Sequence, residues 1–318
     1  MTTAATPHQE EFETHRRALL GAAYRVLGTV ADSEDAVQET WLRWREVDPG
    51  AIRDPRAYLL RAVTRVALNI LRARRRRREE YIGPWLPEPV STAAEADPTR
   101  SAEVAEEVSL ALLVVLESLS PLERAAFVLR EVFALPYEEV AETLERSEAA
   151  VRQLVRRARV RVDERAPRHP VDRAGHRELT STFLDAVEGR AALEEMLAVL
   201  SPDVLLTTDG GGRRKAALRP IRGADKVMRF VEGVLMKPEV IALTWRLTEV
   251  NGAPALVGHE GARVDCVLWI EAERGLVRRI DMIRNPDKLG AIGVCTCRRH
   301  AHDQLLGAVH LHGRVPPR

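Results

Sequence analysis

The spacing of apolar residues changes once along this chain, and the change separates two structural classes. Up to about residue 165, apolar residues recur every three or four positions, as along one face of an α-helix. From about residue 176, one or two helices precede segments in which apolar residues alternate, as in VDCVLWI at 264–270. Helices followed by mostly antiparallel strands predict two all-α domains and then an α+β domain with a curved sheet folded over helices.

Residues 135–162 predict a helix-turn-helix. A short apolar stripe ends at a tight turn, Glu145-Arg146, and Ser147 can cap a second helix whose outer face is basic. An ordinary packed helical hairpin is the alternative. In a helix-turn-helix, the first exposed residues of the second helix contact base edges and later arginines contact phosphates. The candidate base contacts are Ser147, Glu148, Ala149, Arg152 and Gln153, and the candidate phosphate contacts are Arg156, Arg157 and Arg159.

An earlier predicted helix, 54–78, begins with Pro55 in its first turn and ends in a run of arginines. Its apolar stripe predicts one buried face. The opposite face carries Arg61, Arg65, Asn69 and Arg72. The arginine run at 72–78 has two interpretations. It forms a solvated helix end, where cations complement the helix dipole, or it neutralises DNA phosphates. The helix-turn-helix in the same chain favours DNA contact.

Residues 83–107 predict a linker, since prolines, small residues and acids replace the apolar stripes. One feature is unlike a free spacer. Trp85 and Leu86 lie between prolines, which restrict the backbone and lower the entropy lost on docking. The pair therefore predicts a docking point, either on the C-terminal domain or on the helical domain beside it.

The net charge of +1 means that nucleic-acid binding must depend on local basic patches. No apolar run approaches the roughly 18 residues of a membrane span, and the N-terminus lacks the apolar core of a signal peptide. Three cysteines do not make a disulfide framework. We expect a cytoplasmic protein without a membrane partner.

Three segments, at 32–44, 54–77 and 119–159, carry a family resemblance through their order and spacing. Residues 10–165 resemble a bacterial sigma factor of the extracytoplasmic-function type. The resemblance implies that the first segment docks on the clamp helices of RNA polymerase, the second recognises the −10 element and the third the −35 element. The implied polymerase contacts are Asp35, Gln38, Glu39, Trp41 and Leu42, and the implied −10 contacts are Arg61, Arg65, Asn69 and Arg72. Asn69 stands where the family has an aspartate.

The C-terminal part resembles a subgroup of these factors with a fused SnoaL-like, cone-shaped domain. Its three motifs are WLPEP at 85–89, DGGGR at 209–213 and NPDKL at 285–289. Under this resemblance the linker motif is an intramolecular latch on the other two. The implied interdomain residues are Trp85, Leu86, Pro87, Glu88, Pro89, Asp209, Gly210, Gly211, Gly212, Arg213, Asn285, Pro286, Asp287, Lys288 and Leu289.

Other interpretations of the C-terminal part stay open. DGGGR can be a simple turn, an interface loop or, less in keeping with its spacing, a phosphate cradle. SnoaL-like folds also include enzymes, so polar residues inside the cone could form a reactive or sensing pocket; the candidates are His259, Asp209, Asp265 and Asp281. The tail has zinc-ligand spacing at Cys295, Cys297, His300, His302, His310 and His312, but we expect it to be disordered.

The sequence thus predicts a multi-domain sigma factor regulated in cis. The predicted divisions are a region 2-like domain (1–82), a linker (83–107), a region 4-like domain (108–165), a connector (166–175), a SnoaL-like domain (176–290) and a tail (291–318). RNA polymerase core and promoter DNA are the expected partners of a chain that is monomeric when free. We expect no catalytic residue, metal or cofactor. The alternative is a SnoaL-like enzyme or small-molecule sensor fused to a DNA-binding module.

Overall fold

The computed structural model describes residues 7–79, 81–93, 108–165, 169 and 171–292, excepting the side chains of 7 and 75–79. Linker residues 94–107, most of 166–170 and the Cys/His tail lie outside this part of the chain, as do the side chains of most of the arginine run.

The first helical module contains α1 (Pro7–Leu27), α2 (Val30–Trp44) and α3 (Pro55–Glu79), with a 3-10 turn at Pro49–Ala51. The stripes predicted from sequence form its core, where the faces of α1 and α3 pack against α2. The predicted cap of α2, Asp32 or Ser33, is wrong, because the helix begins at Val30 behind Thr29. The Val30 N–H is satisfied by a carboxylate from the linker, Glu88 Oε2 at 2.9 Å, so the helix extends further toward its N-terminus.

The second helical module contains α4 (Leu110–Glu117), α5 (Pro121–Phe127), a π-turn at Val128–Val132, α6 (Tyr137–Leu144) and α7 (Glu148–Arg165). The predicted tight turn between α6 and α7 is confirmed. Glu145 adopts the left-handed conformation there, with φ 55°, although it is not a glycine.

The C-terminal domain has four helices and one six-stranded sheet. Its helices are α8 (Arg173–Val187), α9 (Leu193–Ala198), α10 (Ala224–Leu235) and α11 (Pro238–Ile241). Its strands are β1 (Leu200–Asp209), β2 (Ile221–Arg222), β3 (Thr244–Val250), β4 (Ala253–Glu260), β5 (Arg263–Glu273) and β6 (Leu276–Ile283). The strand order is β2-β1-β6-β5-β4-β3; β1 and β6 run parallel and the other pairs antiparallel. The predicted α+β class is confirmed.

Both faces of this sheet are covered. On the inner face, Cys266, Leu268 and Ile270 pack with residues of α8 and α10 in the core of the C-terminal domain. On the outer face, Val267 and Trp269 belong to a second core that also contains residues of both helical modules. The sheet is therefore a wall shared between the C-terminal domain and the N-terminal helices.

Linker residues 81–93 run between the helical modules and the sheet. Ser91 forms a bridge with Val250 at the end of β3, an edge strand, and its N–H donates to Ala291 O at 3.1 Å. The Thr92 N–H donates to Glu249 O at 3.0 Å. The linker thus continues the sheet edge before it reaches residue 94.

Candidate functional site

Helix α2 presents most of the predicted polymerase contacts to solvent. Its inner face, which includes Ala36, Val37 and Trp44, is buried. Asp35, Gln38, Glu39 and Leu42 are exposed, and Trp41 is half-buried with its ring 5.0 Å from that of Phe12. Leu42 is 51% exposed, which leaves an apolar contact available beside acidic residues.

The predicted −10 surface on α3 is divided. Arg61 pairs with Glu142 of α6 at 2.8 Å, and Arg65 donates to the carbonyl oxygens of Glu142 at 3.0 Å and Thr143 at 3.3 Å. One turn further along, Arg72 donates to Asn69 Oδ1 at 2.9 Å, and both side chains are exposed.

The predicted −35 residues lie together on the exposed face of α7. Ser147 Oγ accepts from the Ala150 N–H at 3.3 Å, as predicted for a cap. Arg152 pairs with Glu148 at 3.1 Å, and its guanidinium lies 4.2 Å from the centroid of the Tyr137 ring. Ala149, Gln153 and Arg156 are also exposed.

Arg157 and Arg159 are exposed but held by carboxylates of their own module. Arg157 Nε and Arg161 each donate to Glu123 at 2.8 Å, and Arg159 makes two bonds of 2.8 Å to Glu131. Burial raises the pKa of Glu123, but the hydrogen bonds from Arg157 and from Ser120 outweigh burial and lower the pKa to about 2. Sequence alone did not indicate this structural role of Arg157.

The three predicted interdomain motifs meet at Asp209, the last residue of β1. This fully buried carboxylate accepts from the Leu86 N–H at 2.9 Å, from Lys288 Nζ at 2.7 Å and from the Tyr81 hydroxyl. Burial and the Asp209 carboxylate raise the pKa of Tyr81, which therefore stays a donor.

Lys288 joins the same cluster from the NPDKL motif. Its Nζ donates to Leu86 O at 2.6 Å and lies 3.2 Å from the centroid of the Trp85 ring. Leu86 is 2% exposed and Lys288 3%. The linker's Trp-Leu pair is thus held by an ion pair, hydrogen bonds and a cation–π contact.

The glycines of DGGGR allow the loop to approach the cluster closely. Gly211 has φ 57°, and a Cβ there would lie 2.4 Å from Nδ2 of Asn285 and 2.9 Å from the Tyr81 hydroxyl. Gly212 has φ 71° and lies against Ile82. The motif is a turn and an interdomain contact at once, so two of the three interpretations left open by the sequence hold together.

The remaining residues of DGGGR and NPDKL support this contact. A Cβ at Gly210 would lie 2.2 Å from Arg214 O. Asn285 caps the short turn Pro286–Lys288 through its side chain, while Leu289 is buried in the core shared with the helical modules. Arg213 and Asp287 form an exposed ion pair of 3.1 Å between the two motifs.

The other half of WLPEP binds the first helical module. Besides capping α2, Glu88 donates its N–H to Gly28 O at 2.8 Å and accepts from the Tyr24 hydroxyl, through its carbonyl, at 2.6 Å. Burial raises the pKa of the Glu88 carboxyl. Pro87 and Pro89 are buried beside it. The motif therefore contacts both domains that the sequence offered as alternatives.

Sequence reasoning missed Tyr24, Tyr81 and Asn251 as members of this region. Tyr81 had a signal, since it is an aromatic residue four positions before Trp85. Asn251 and Gly252 have the signature of a two-residue hairpin turn, which gave no reason to expect a buried contact.

The proposed polar group inside the cone does not form. Asp209 binds the linker, Asp265 pairs with Arg284 at 2.8 Å, and Asp281, opposite Trp269 on the outer face, pairs with Arg279 at 2.5 Å. The alternative of a polar pocket inside the cone, which the sequence left open, is not realised by these residues, because strand alternation directs Asp209 and Asp281 to the other face.

A cavity of about 700 Å³ opens at the end of the cone instead. Its lining is largely apolar and includes Val187, Leu193, Leu235, Ile241, Leu243 and Trp245. None of the four predicted polar residues lines this cavity.

Two protein families match the chain: sigma-70 region 2 over residues 12–77 and sigma-70 region 4 over residues 109–162. The ECF RNA polymerase sigma factor SigJ of Mycobacterium tuberculosis is 42% identical over 289 residues, covering 87% of this chain and 92% of that protein. The probable ECF RNA polymerase sigma factor SigI of the same species is 31% identical over 285 residues, covering 89% and 95%. The crystal structure of M. tuberculosis SigJ matches with a TM-score of 0.72 and 39% identity, covering 89% of this chain and 98% of that one. Among the helices of the described ranges, none is both long and apolar enough to cross a bilayer.

Proposed function

This chain belongs to the extracytoplasmic-function sigma factors of RNA polymerase, with a SnoaL-like C-terminal domain, and from that premise we propose how it selects promoters and how it is held at rest. Helix α3 recognises the −10 element and helix α7 the −35 element. The C-terminal domain holds both modules in a closed resting form. The observation that carries the proposal is the direct contact between Arg65 of α3 and the backbone of α6.

Polymerase docking is assigned to the exposed face of α2. Leu42 supplies an apolar contact, and Asp35, Gln38 and Glu39 supply polar ones around it. A largely apolar centre with a polar rim is the usual composition of a specific protein interface.

Base recognition at −35 is assigned to the first exposed turns of α7, with Arg152 and Gln153 as the principal base contacts. Arginine and glutamine can each make bidentate bonds to a base edge in the major groove. Arg156 is the phosphate contact that the structure supports best, since Arg157 and Arg159 are engaged with Glu123 and Glu131.

The closed form cannot engage both promoter elements. Elements centred at −10 and −35 lie about 25 base pairs apart, which at roughly 3.4 Å per base pair is on the order of 85 Å along straight DNA. In the closed form α3 and α6 are in contact, and Glu142 pairs with Arg61 of the −10 surface. Initiation therefore requires the modules to separate, and contacts that oppose separation are inhibitory.

The C-terminal domain opposes separation at the Trp85-Leu86 docking point, where Asp209 and Lys288 bind the Leu86 backbone and Lys288 contacts the Trp85 ring. These contacts fix the linker, and the shared core on the outer face of the sheet fixes the modules. We assign the domain a repressive role in the resting state, in a protein that is monomeric when free.

Run-off transcription with purified core polymerase tests this function. The wild-type chain should direct start sites downstream of a defined −10/−35 promoter, and Trp85→Ala should raise the yield. Absence of any specific start site would refute promoter selection. Equal yields from both proteins, at equal polymerase binding, would refute the repressive role and leave promoter selection standing.

Small-molecule sensing is a second candidate role of the C-terminal domain, favoured by the apolar cavity of about 700 Å³. Such volume and lining are typical of pockets for compact apolar ligands. With 8-anilinonaphthalene-1-sulfonate as the probe, dye fluorescence should fall in Val187→Trp, because the indole occupies part of the cavity. Unchanged fluorescence would show that the dye does not occupy the cavity and would remove this support.

A further inference from the structure

The tip of the β3–β4 hairpin places one buried side chain at the junction of all the domains. Asn251 and Gly252 have φ 50° and 70°, as expected for an Asn-Gly hairpin turn. A hairpin tip normally faces solvent, but Asn251 is 2% exposed. The turn geometry explains the choice of asparagine, and it does not explain the burial.

The side-chain amide of Asn251 binds three separate segments. Its Oδ1 accepts from the Val90 N–H at 2.9 Å, and its Nδ2 donates to Val108 O at 2.9 Å and to the Tyr24 hydroxyl at 3.2 Å. Its backbone N–H donates to Val90 O, also at 2.9 Å. Both donors of the amide are used.

Val90 and Val108 lie on either side of residues 94–107, and Tyr24 belongs to α1. The same amide therefore fastens the first module, the outgoing end of the linker and its returning end to the C-terminal domain. Its neighbour Gly252 donates its N–H to Thr92 Oγ1 at 2.9 Å, which supports the outgoing end.

We propose that Asn251 is a clasp that limits how far the two DNA-recognition modules can separate. The proposal rests on the proposed function, in which the closed form is the resting state. Asn251 is a positioning residue, since it acts on promoter recognition only through the linker.

The bonds of Asn251 to Val90 and Val108 greatly shorten the distance that the linker can span between the two modules. An extended chain spans at most about 3.3–3.6 Å per residue, so the segment from Ile82 to Ser109 can reach on the order of 90 Å. With Val90 and Val108 fastened to one amide, the residues between them add nothing to that reach. The remainder, from Ile82 to Val90, spans roughly 30 Å at most, well short of the promoter distance. Opening must therefore release Asn251.

Two substitutions separate the clasp from the turn. Asn251→Gly keeps the left-handed turn and the backbone bond to Val90, and removes only the amide. Asn251→Asp keeps the acceptor for Val90 but sets a carboxylate oxygen against Val108 O. The matched control is Arg274→Gly, an exposed residue with φ 53° in the β5–β6 hairpin turn.

Hydrogen exchange of the full-length protein, read by mass spectrometry, measures the effect. In both Asn251 variants the Val90, Ser91 and Thr92 amides should exchange about tenfold faster or more, because this end of the linker opens more often once the amide bonds to Val108 and Tyr24 are lost. Amides within β3 and β4 should keep their wild-type rates, and Arg274→Gly should change neither set.

Three results would overturn the clasp. The first is wild-type exchange of the linker amides in both variants, and the second is equal acceleration of those amides in Arg274→Gly. The third is acceleration of the β3 and β4 amides to the same degree as the linker amides, which would indicate a loosened hairpin. If Asn251→Gly does not fold, Asn251→Asp and Tyr24→Phe give the same measurement. Run-off transcription separates the two proposals. Faster linker exchange with unchanged transcription leaves the clasp standing and refutes the repressive role of the closed form.

Discussion

Replacing Lys288 by methionine removes the only cation hydrogen-bonded to Asp209 among the described residues, while keeping an unbranched side chain of similar length. In the closed form Asp209 is fully buried and Lys288 Nζ lies 2.7 Å from its Oδ2. The substitution leaves the Leu86 N–H and the Tyr81 hydroxyl as donors to the carboxylate. When the linker leaves, water replaces these donors. The loss of the cation therefore weakens the closed form more than the open one.

The magnitude follows from the burial of both partners. Breaking a buried ion pair by removing one partner costs about 3–5 kcal/mol, and the two remaining donors to Asp209 favour the lower end. At about 1.4 kcal/mol for each factor of ten, roughly 3 kcal/mol lowers the closed-to-open ratio of the linker about 100-fold. The lost cation–π contact with Trp85 acts in the same direction.

Native-state hydrogen exchange at the Leu86 amide is the direct assay, because that N–H is bonded to Asp209. Lys288→Met should exchange there about 100-fold faster and give more run-off transcript. Arg213→Met is the matched control. It breaks the exposed pair with Asp287, which joins the same two motifs in solvent, and should leave exchange unchanged. Wild-type exchange in Lys288→Met, or the same acceleration in Arg213→Met, would refute the role of Lys288 in holding the linker closed.

Three further outcomes are expected. Leu42→Arg should retain the wild-type circular dichroism spectrum and fail to co-elute with core polymerase; wild-type co-elution would contradict the docking assignment. Arg152→Ala should relax preference at one −35 base, at a cost of roughly 1–3 kcal/mol in a promoter-selection assay. Arg157→Ala should lower the thermal midpoint of unfolding and leave base preference unchanged, because Arg157 binds Glu123 within its own module. Burial, and then Asp281, raise the pKa of Glu271 to about 7 from the usual 4.5, beside a cleft lined by α4 and α7. Because the folded form holds this proton more tightly, wild type should lose stability relative to Glu271→Gln as the pH rises from about 4.5 to 7, seen as a falling urea midpoint, and a constant difference across that window would contradict the shift.

The helical part of the fold could be predicted closely because its signals are local. The stripe of α3, the cap Ser147 and the turn at Glu145 each depend on a few neighbouring residues, and the structure places them as expected. The start of α2 was missed for the opposite reason. Its first N–H is capped by Glu88, which lies 58 positions further along the chain, so no local pattern could indicate it.

The C-terminal sheet shows where sequence reasoning reaches its limit. The alternation in VDCVLWI at 264–270 indicates a strand but does not show which of its faces are covered, and both are buried. An isolated SnoaL-like domain would leave Trp269 and Val267 in water. Their burial comes from a core that also contains the linker residues Leu86 and Val90 and residues of the helical modules, and nothing in the β5 sequence indicates those partners. The same face carries Asp209 and Asp281, which is why they do not line the interior of the cone.

The apolar outer face also constrains how the protein opens. Separation of the sheet from the helices exposes Trp269, Val267 and Ile283 to water, at roughly 25 cal/mol for each Å² of apolar surface. Breaking the Asp209–Lys288 pair or the Asn251 clasp frees the linker but leaves this apolar contact in place. Substitutions in the linker contacts therefore change local exchange in the free protein more than its overall compactness. Full separation of the modules needs a partner whose binding compensates for the exposed face. Under the proposed function that partner is polymerase, because placing α3 and α7 on the two promoter elements requires the modules to be apart.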